Sequence, residues 1–251
     1  MSSLVLRTLA ILTMLTDHLG VAYGWSLLDP LSDPVYIGMR LIGRLAMPIF
    51  CFLIAEGLFH TRSASRYAGR LLLFAFLAEI PFDWCFSQGA RLFDWEGQNV
   101  FFTLFLGLLA IWLYDRFALK GQYLLSLMSL LLCAFLAELI RSDYGMFGVL
   151  FVFVFYCFRD RPVPRTWAFA GVCLLMGVNY YLTARWPDPV SAVLMCCAAA
   201  AALPIWLYNG QKGRIGKKDR GGRVLQIAFY AFYPVHLTLI ALLASGRMIN
   251  M

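Results

Sequence analysis

The chain has 251 residues, of which 61% are hydrophobic and 14% charged, with a formal net charge of +7 and a mean hydropathy of +0.73. A soluble domain carries about a quarter charged residues and under half apolar ones; here the apolar excess runs through the whole chain. That excludes a soluble globular enzyme and a domain held by one anchor, and indicates one all-α, polytopic transmembrane bundle over residues 1–251.

The seven cysteines are odd in number and form no CxxC pair, so neither a disulfide framework nor a metal site is expected. Most are expected to be small buried hydrophobes. No nucleic-acid partner is expected either, because the positive charge sits in the connections between apolar segments.

Nine spans are predicted, over 5–27, 37–59, 69–87, 99–117, 121–140, 145–158, 166–184, 189–208 and 224–245. Each is close to the ~20 residues that cross ~30 Å of hydrocarbon. The sixth is short and requires tilt or local thinning.

The first span, VLRTLAILTMLTDHLGVAYGW, carries Arg7 early and Asp17-His18 in its middle. Arg7 interrupts the opening apolar run and no small-x-small site follows, so this segment is expected to remain as a span rather than be cleaved. From Arg7 to His18 is about 16 Å along a helix, and three turns bring the two near the same face. Asp17 points about 100° away from His18 and is not its expected partner. A lone histidine in a soluble core is commonly a packing residue. At mid-bilayer depth, aligned with a basic residue at the rim, it reads instead as a general base or a transient acyl carrier.

The second span, YIGMRLIGRLAMPIFCFLIAEGLF, places Arg40 and Arg44 one turn apart, then Pro48 and Glu56. Two arginines at that depth need a carboxylate, carbonyls, water or an anion, and Asp17 is the most economical partner. In the third, LAEIPFDW puts Glu79 and Asp83 around Pro81. Gln98-Asn99 opens the fourth and Asn99 suits a helix cap, as Asp143 does for the sixth. Asn179 lies within the seventh. The last span contains FYAFYPVHLTLI, where Tyr230, Tyr233 and His236 surround Pro234; this reads equally as a site-lining bend and as an ordinary kinked helix. His60 reads as interfacial.

Basic residues orient the chain. Fifteen of the 21 fall on one side: Arg7 and the connections carrying Arg62, Arg66, Arg70; Arg116, Lys120; Arg159, Arg161, Arg165; and the run NGQKGRIGKKDRGGR. Arg91, Arg141, Arg185 and Arg247 lie opposite, with Arg40 and Arg44 inside the second span. The N-terminus is therefore expected in the cytoplasm and the C-terminus outside. The long basic run reads first as a topology signal, with phosphate or lipid-headgroup binding as its alternative. Arg62, Arg66 and Arg70 have a stronger claim to a ligand, because they lie at the mouth where Arg7 emerges.

The blocks LRTLAILTMLTDHLG, LIGRLAMPIFCFLIAEGLFHTRS, RLLLFAFLAEIPFD, GQNVFFTLFLGL, SDYGMFGVLFVFVFY and FYAFYPVHL resemble, in order and over most of the chain, those of the TraX family. Arg7-x10-His18 is similar to the R/K-x10-H pattern in the first helix of acyltransferase-three membrane enzymes. The resemblance implies a multi-pass acyltransferase of the bacterial inner membrane that uses acetyl-CoA or a related acyl-CoA. Its implied acceptor is a pilin N-terminus, a surface glycan or a lipid-linked substrate. It implies a catalytic His18, with Asp17 beside it, and donor binding by Arg7; Arg62 and Arg66 would join Arg7 on the donor's phosphates. Arg40, Arg44, Glu56, Asp83, Asn99, Tyr233 and His236 are expected to line the site, among membrane lipids and with no metal. A pantetheine arm of roughly 15–20 Å matches the Arg7–His18 span. Two rival readings stand: a small-solute transporter, against which no internal repeat is found, and a non-catalytic assembly factor for surface fibres.

Overall fold

The computed structural model describes residues 1–183, 188–211 and 220–249, with side chains left aside at 220, 221, 223 and 246–249. Arg185, Lys212, Arg214, Lys217 and Lys218 lie outside the described residues, and the side chains of Arg220, Arg223 and Arg247 are likewise set aside. The described residues form helices and no strand. They are α1 (Ser3–Gly24), α2 (Pro34–Gly43), α3 (Ala46–His60), α4 (Ala64–Phe86), α5 (Val100–Ala118), α6 (Tyr123–Leu139), α7 (Gly145–Cys157), α8 (Pro162–Thr183), α9 (Pro189–Cys196), α10 (Ala202–Trp206) and α11 (Arg220–Ile249). Five stretches are long and apolar enough to cross a bilayer: α1, α2 with α3, α5, α9 through α10, and Val224–Ser245 of α11. The apolar helices α6 and α7 are shorter.

Side-chain distribution identifies the solvent. In α6 the inward face is Ser126, Ser129, Leu130, Cys133, Ala134 and Ala137, small but for one leucine, while Leu124, Leu127, Leu131, Leu132 and Phe135 point outward. A soluble helix does the reverse. Small residues inside and large apolar ones outside are what helix packing in lipid selects, because burial against another helix gains nothing over contact with acyl chains. On α1, Gly20 and Gly24 one turn apart let α2 approach: a Cβ at Gly20 would lie 2.9 Å from Met39 Cβ.

Two expected spans are broken, each for a reason carried by proline. The second divides at Arg44–Leu45 into α2 and α3. Pro48 has no N–H for the Arg44 carbonyl and its ring crowds that turn. The eighth passes from α9 through a 3-10 segment, Cys197–Ala201, before α10. There Pro204 leaves the Ala200 carbonyl without its helical donor, and the chain tightens. Pro81 and Pro234, by contrast, sit inside continuous helices.

Contacts between connections mark two ends of the bundle. At the basic end, Glu56 pairs with Arg159 and the N-terminal amine is bound by the Leu207 carbonyl. At the far end the α4–α5 and α6–α7 connections meet, Gln98 N donating to Arg141 O and Asp143 N to Gln98 O.

Candidate functional site

Asp17 and His18 are adjacent on α1, and the helix sends them to different partners. Asp17 meets the broken second crossing. Arg40 Nη1 donates to its Oδ2 at 2.6 Å, and Arg44 Nη2 donates to Oδ1 and Oδ2 at 3.1 and 3.2 Å. The approach depends on Gly43, where a Cβ would lie 2.0 Å from Asp17 Oδ1. Arg44 is 5% exposed, its Nη1 reaches Met195 Sδ at 3.5 Å, and its guanidinium carbon lies 5.5 Å from the centre of the Tyr144 ring. Its Nε is buried with no partner among the described residues. A carboxylate shared by two arginines at this depth is a structural clamp between α1 and α2, since each charge left alone there would be costly.

His18 turns the other way, toward α11. Its Nδ1 lies 2.6 Å from Nε2 of His236, and the two rings are 7° from parallel. Their centroids are 4.9 Å apart, equal to the nitrogen–nitrogen distance plus the two ring radii. The imidazoles therefore lie end to end in one plane, the in-line arrangement of a hydrogen bond rather than a stack. His236 Nδ1 is in turn 2.7 Å from the Phe232 carbonyl, one turn earlier in α11. Phe232 stacks on His236 at 4.9 Å, and Phe86 and Tyr233 meet the His18 ring edge-on at 5.8 and 5.9 Å. Both histidines are buried, at 8% and 5% exposure, while Nε2 of His18 has no hydrogen-bond partner among the described residues. One ring nitrogen in the middle of a crossing is left uncommitted.

Around this pair the expected site residues separate into three groups. Tyr233 and His236 join His18, and Arg40 and Arg44 join Asp17 beside it. Asn99 and Asp83 belong to the far-end framework. Asn99 Oδ1 accepts from Phe101 N at 3.0 Å, the expected cap, and its amide donates to the Ala75 carbonyl at 2.7 Å and to Glu79 Oε2. Glu79 Oε1 is buried without a partner among the described residues. Asp83 Oδ2 accepts from Asp94 N at 2.8 Å. Glu56 is not near the histidines: it lies at the basic end, 2.6 Å from Arg159 Nε and 3.7 Å from His60. The expected Asp143 cap of α7 is also absent. Glu138 Oε2 accepts from Met146 N instead: the cap position falls on Tyr144, one residue after Asp143, and the Asp143 carbonyl accepts from Thr103 Oγ1 at 2.5 Å.

At the basic end Arg62 and Arg66 are exposed, and Arg7 is half-buried. Arg70, 5.4 Å from the centre of the Tyr67 ring, has a buried Nε with no partner among the described residues. At the far end a cavity of 310 Å³ opens among Arg44, Arg141, Asp143, Tyr144, Asn179 and Tyr180, with Arg44 as a link back to Asp17.

The pairing of His18 with His236 bridges 218 residues and has no local signature in sequence. The only hint was a histidine in each of two spans, one beside a proline. The Glu56–Arg159 bond gave a weaker hint, a carboxylate near a span end and an arginine in a basic connection.

The model of the family described as TraX protein matches residues 2–244. The chain is 34% identical over 260 residues to the probable fimbrial assembly protein FimC, serogroup H1, of Dichelobacter nodosus, covering 98% of this chain and 96% of that protein. No solved structure matches. With the match running from α1 into α11, across the helices that carry His18 and His236, the chain belongs to the TraX family.

Proposed function

We propose that the protein is an integral-membrane acyltransferase that moves an acetyl or similar acyl group from an acyl-CoA thioester to an amine or hydroxyl acceptor. The observation that carries this reading is the buried His18 imidazole. It sits in the middle of an apolar crossing, with one ring nitrogen uncommitted, eleven residues from a basic residue at the helix's entry. A bilayer makes such groups costly to keep unless they act.

The bias of basic residues supports an orientation with the Arg7 end on the cytoplasmic face of a bacterial inner membrane, where acyl-CoA is available. The residues there suit a phosphate-bearing donor. Arg70 sits over the Tyr67 ring with an unpaired Nε among the described residues, Arg7 is half-buried in the first turns of α1, and Arg62 and Arg66 are exposed. Guanidinium groups pair with phosphate oxygens in this way. A thioester held from that end reaches His18 along about 16 Å of α1.

At His18, Nε2 takes the proton from the acceptor's amine or hydroxyl as that group forms its bond to the thioester carbonyl carbon. The C–S bond then breaks, and the proton passes from Nε2 to the departing sulfur. Asp17, held by Arg40 and Arg44, positions the turn that carries His18 and takes no proton itself. The far-end cavity, walled by Arg44, Asp143, Tyr144 and Asn179, meets this site through Arg44 and its partner Asp17, which supports an approach of the acceptor from that end.

The printed name of the relative favours one second reading, in which this chain assists assembly of surface fibres without catalysis. Purified protein reconstituted in liposomes with radiolabelled acetyl-CoA and candidate acceptors (a pilin peptide, a glycan, a lipid-linked sugar) separates the two. Label in an acceptor supports transfer. Solute flux without transfer would support transport, and neither activity beside binding of a fibre subunit would support the assembly role.

A further inference from the structure

We infer that His236 is a positioning residue for His18, fixing which nitrogen of the reactive imidazole carries the proton and receiving that proton when charge develops. The inference rests on the acyltransferase reading for its chemical use, but its geometry stands alone.

The assignment follows from the end of the chain of hydrogen bonds. The Phe232 carbonyl can only accept, so His236 Nδ1, at 2.7 Å, carries a hydrogen. In a neutral ring Nε2 of His236 is then a bare lone pair. That lone pair faces His18 Nδ1 at 2.6 Å, so Nδ1 is the donor. His18 is left with an unprotonated Nε2, the atom without a partner. The order from carbonyl to reactive nitrogen is fixed by groups with no freedom to reverse it while both rings are neutral. This is how a second hydrogen-bonded group sets a histidine's tautomer and orientation.

Three features keep the geometry. Phe232 stacks on one ring, Phe86 and Tyr233 close on the other, and the coplanarity of the pair leaves the N–H···N bond straight. The last of these matters most, because bond strength falls steeply with misalignment.

The relay also does work in a covalent route. If His18 Nε2 attacks the thioester carbonyl, a C–N bond forms, the C–S bond breaks and the thiolate leaves. The product at His18 is an acyl-imidazolium whose Nδ1 still holds a proton. Passing that proton to His236 Nε2 gives a neutral acyl-imidazole, and returning it restores the more electrophilic cation before the acceptor attacks. The acceptor's own proton then leaves through the Nε2 freed by acyl transfer. His236 thus controls the reactivity of an acyl-His18 without touching the substrate.

The chain contains three histidines, His18, His60 and His236, so ring-nitrogen NMR of 15N-histidine-labelled protein in nanodiscs resolves each. The expected spectrum shows both His18 and His236 protonated at Nδ1 and bare at Nε2, with a through-bond or proximity correlation between them. An imidazole free in water favours the opposite tautomer, so His18 protonated at Nε2 would overturn the proposal. This readout needs no turnover, and it stays decisive even if the wild-type protein transfers no label, a result that would count against the acyltransferase reading alone.

The kinetic arm compares His236→Gln with His236→Ala. Glutamine offers a carbonyl oxygen to His18 Nδ1–H, and it should keep kcat within about tenfold of wild type. Alanine should lose about 10²–10³-fold in kcat with the acetyl-CoA KM within about twofold, in the range of a misoriented acid–base group. Equal loss in both variants at unchanged melting temperature, or full activity in His236→Ala, would overturn the relay.

Discussion

Asp17 and His18 are one bond apart in sequence and opposite in what the fold makes of them. Asp17 is closed on itself: a carboxylate with two guanidinium partners, and no oxygen left over. His18 is open: one nitrogen held at 2.6 Å by the His236 ring, the other without a partner among the described residues. The difference teaches how to separate structural from chemical polarity inside a bilayer. A charged group that is fully paired holds helices together, whereas a neutral group held on one side and free on the other is poised to react. Substitutions in the first should change stability, and in the second, rate.

The largest stability effect is expected at Asp17. Asp17→Ala leaves Arg40 and Arg44 facing each other with no counter-ion, and breaking a buried pair from one side costs about 3–5 kcal/mol. Thermal unfolding in detergent should fall accordingly, and Arg44→Met in the same background should recover part of the loss. A variant that melts like wild type but transfers nothing would move Asp17 into the chemistry and dissolve the contrast.

Gly43→Ala sharpens the same point without removing any charge. Its methyl would meet Asp17 Oδ1 at 2.0 Å, so the clamp must open or α2 must shift. The expected cost is about 1–3 kcal/mol, as for overpacking, with the acetyl-CoA KM unchanged.

Arg7→Ala acts on neither residue and tests the donor end. The KM for acetyl-CoA should rise about tenfold, or about 1.4 kcal/mol, and the difference from wild type should shrink at high salt. Unchanged donor affinity would remove Arg7 from phosphate binding. The smallest effect is expected at Glu56→Gln. Its partner Arg159 is 31% exposed in its side chain, so solvent screens the pair and about 1 kcal/mol of stability is at stake.

Much of this is legible in the sequence, and the reason is the bilayer. Lipid forces a long apolar run for each crossing and makes every buried charge conspicuous, so the all-helical character, the Asp17–arginine pairing and the Asn99 cap could be read from the sequence, whereas among the described residues only five of the nine expected spans are matched by stretches long and apolar enough to cross. What could not be read was set by distant packing. The His18–His236 bond depends on α1 meeting α11, and nothing within either helix records it. Glu56 looked like a site residue because it is a carboxylate in a span; only the return of the α7–α8 connection shows it paired with Arg159. The breaks at Arg44–Leu45 and Cys197–Ala201 follow from prolines visible in the sequence, but a proline inside an apolar run equally permits a continuous helix, as Pro81 and Pro234 show. Asp143 had the chemistry of a cap and lost the role to Glu138, whose side chain arrives from the previous helix.

The most direct test of the central claim is transfer of label from radioactive acetyl-CoA in native membranes, comparing wild type with His18→Ala at equal expression and equal melting temperature. The account expects label in a discrete acceptor with wild type and a loss of at least about 10³-fold in the variant. Undiminished transfer by His18→Ala would contradict it.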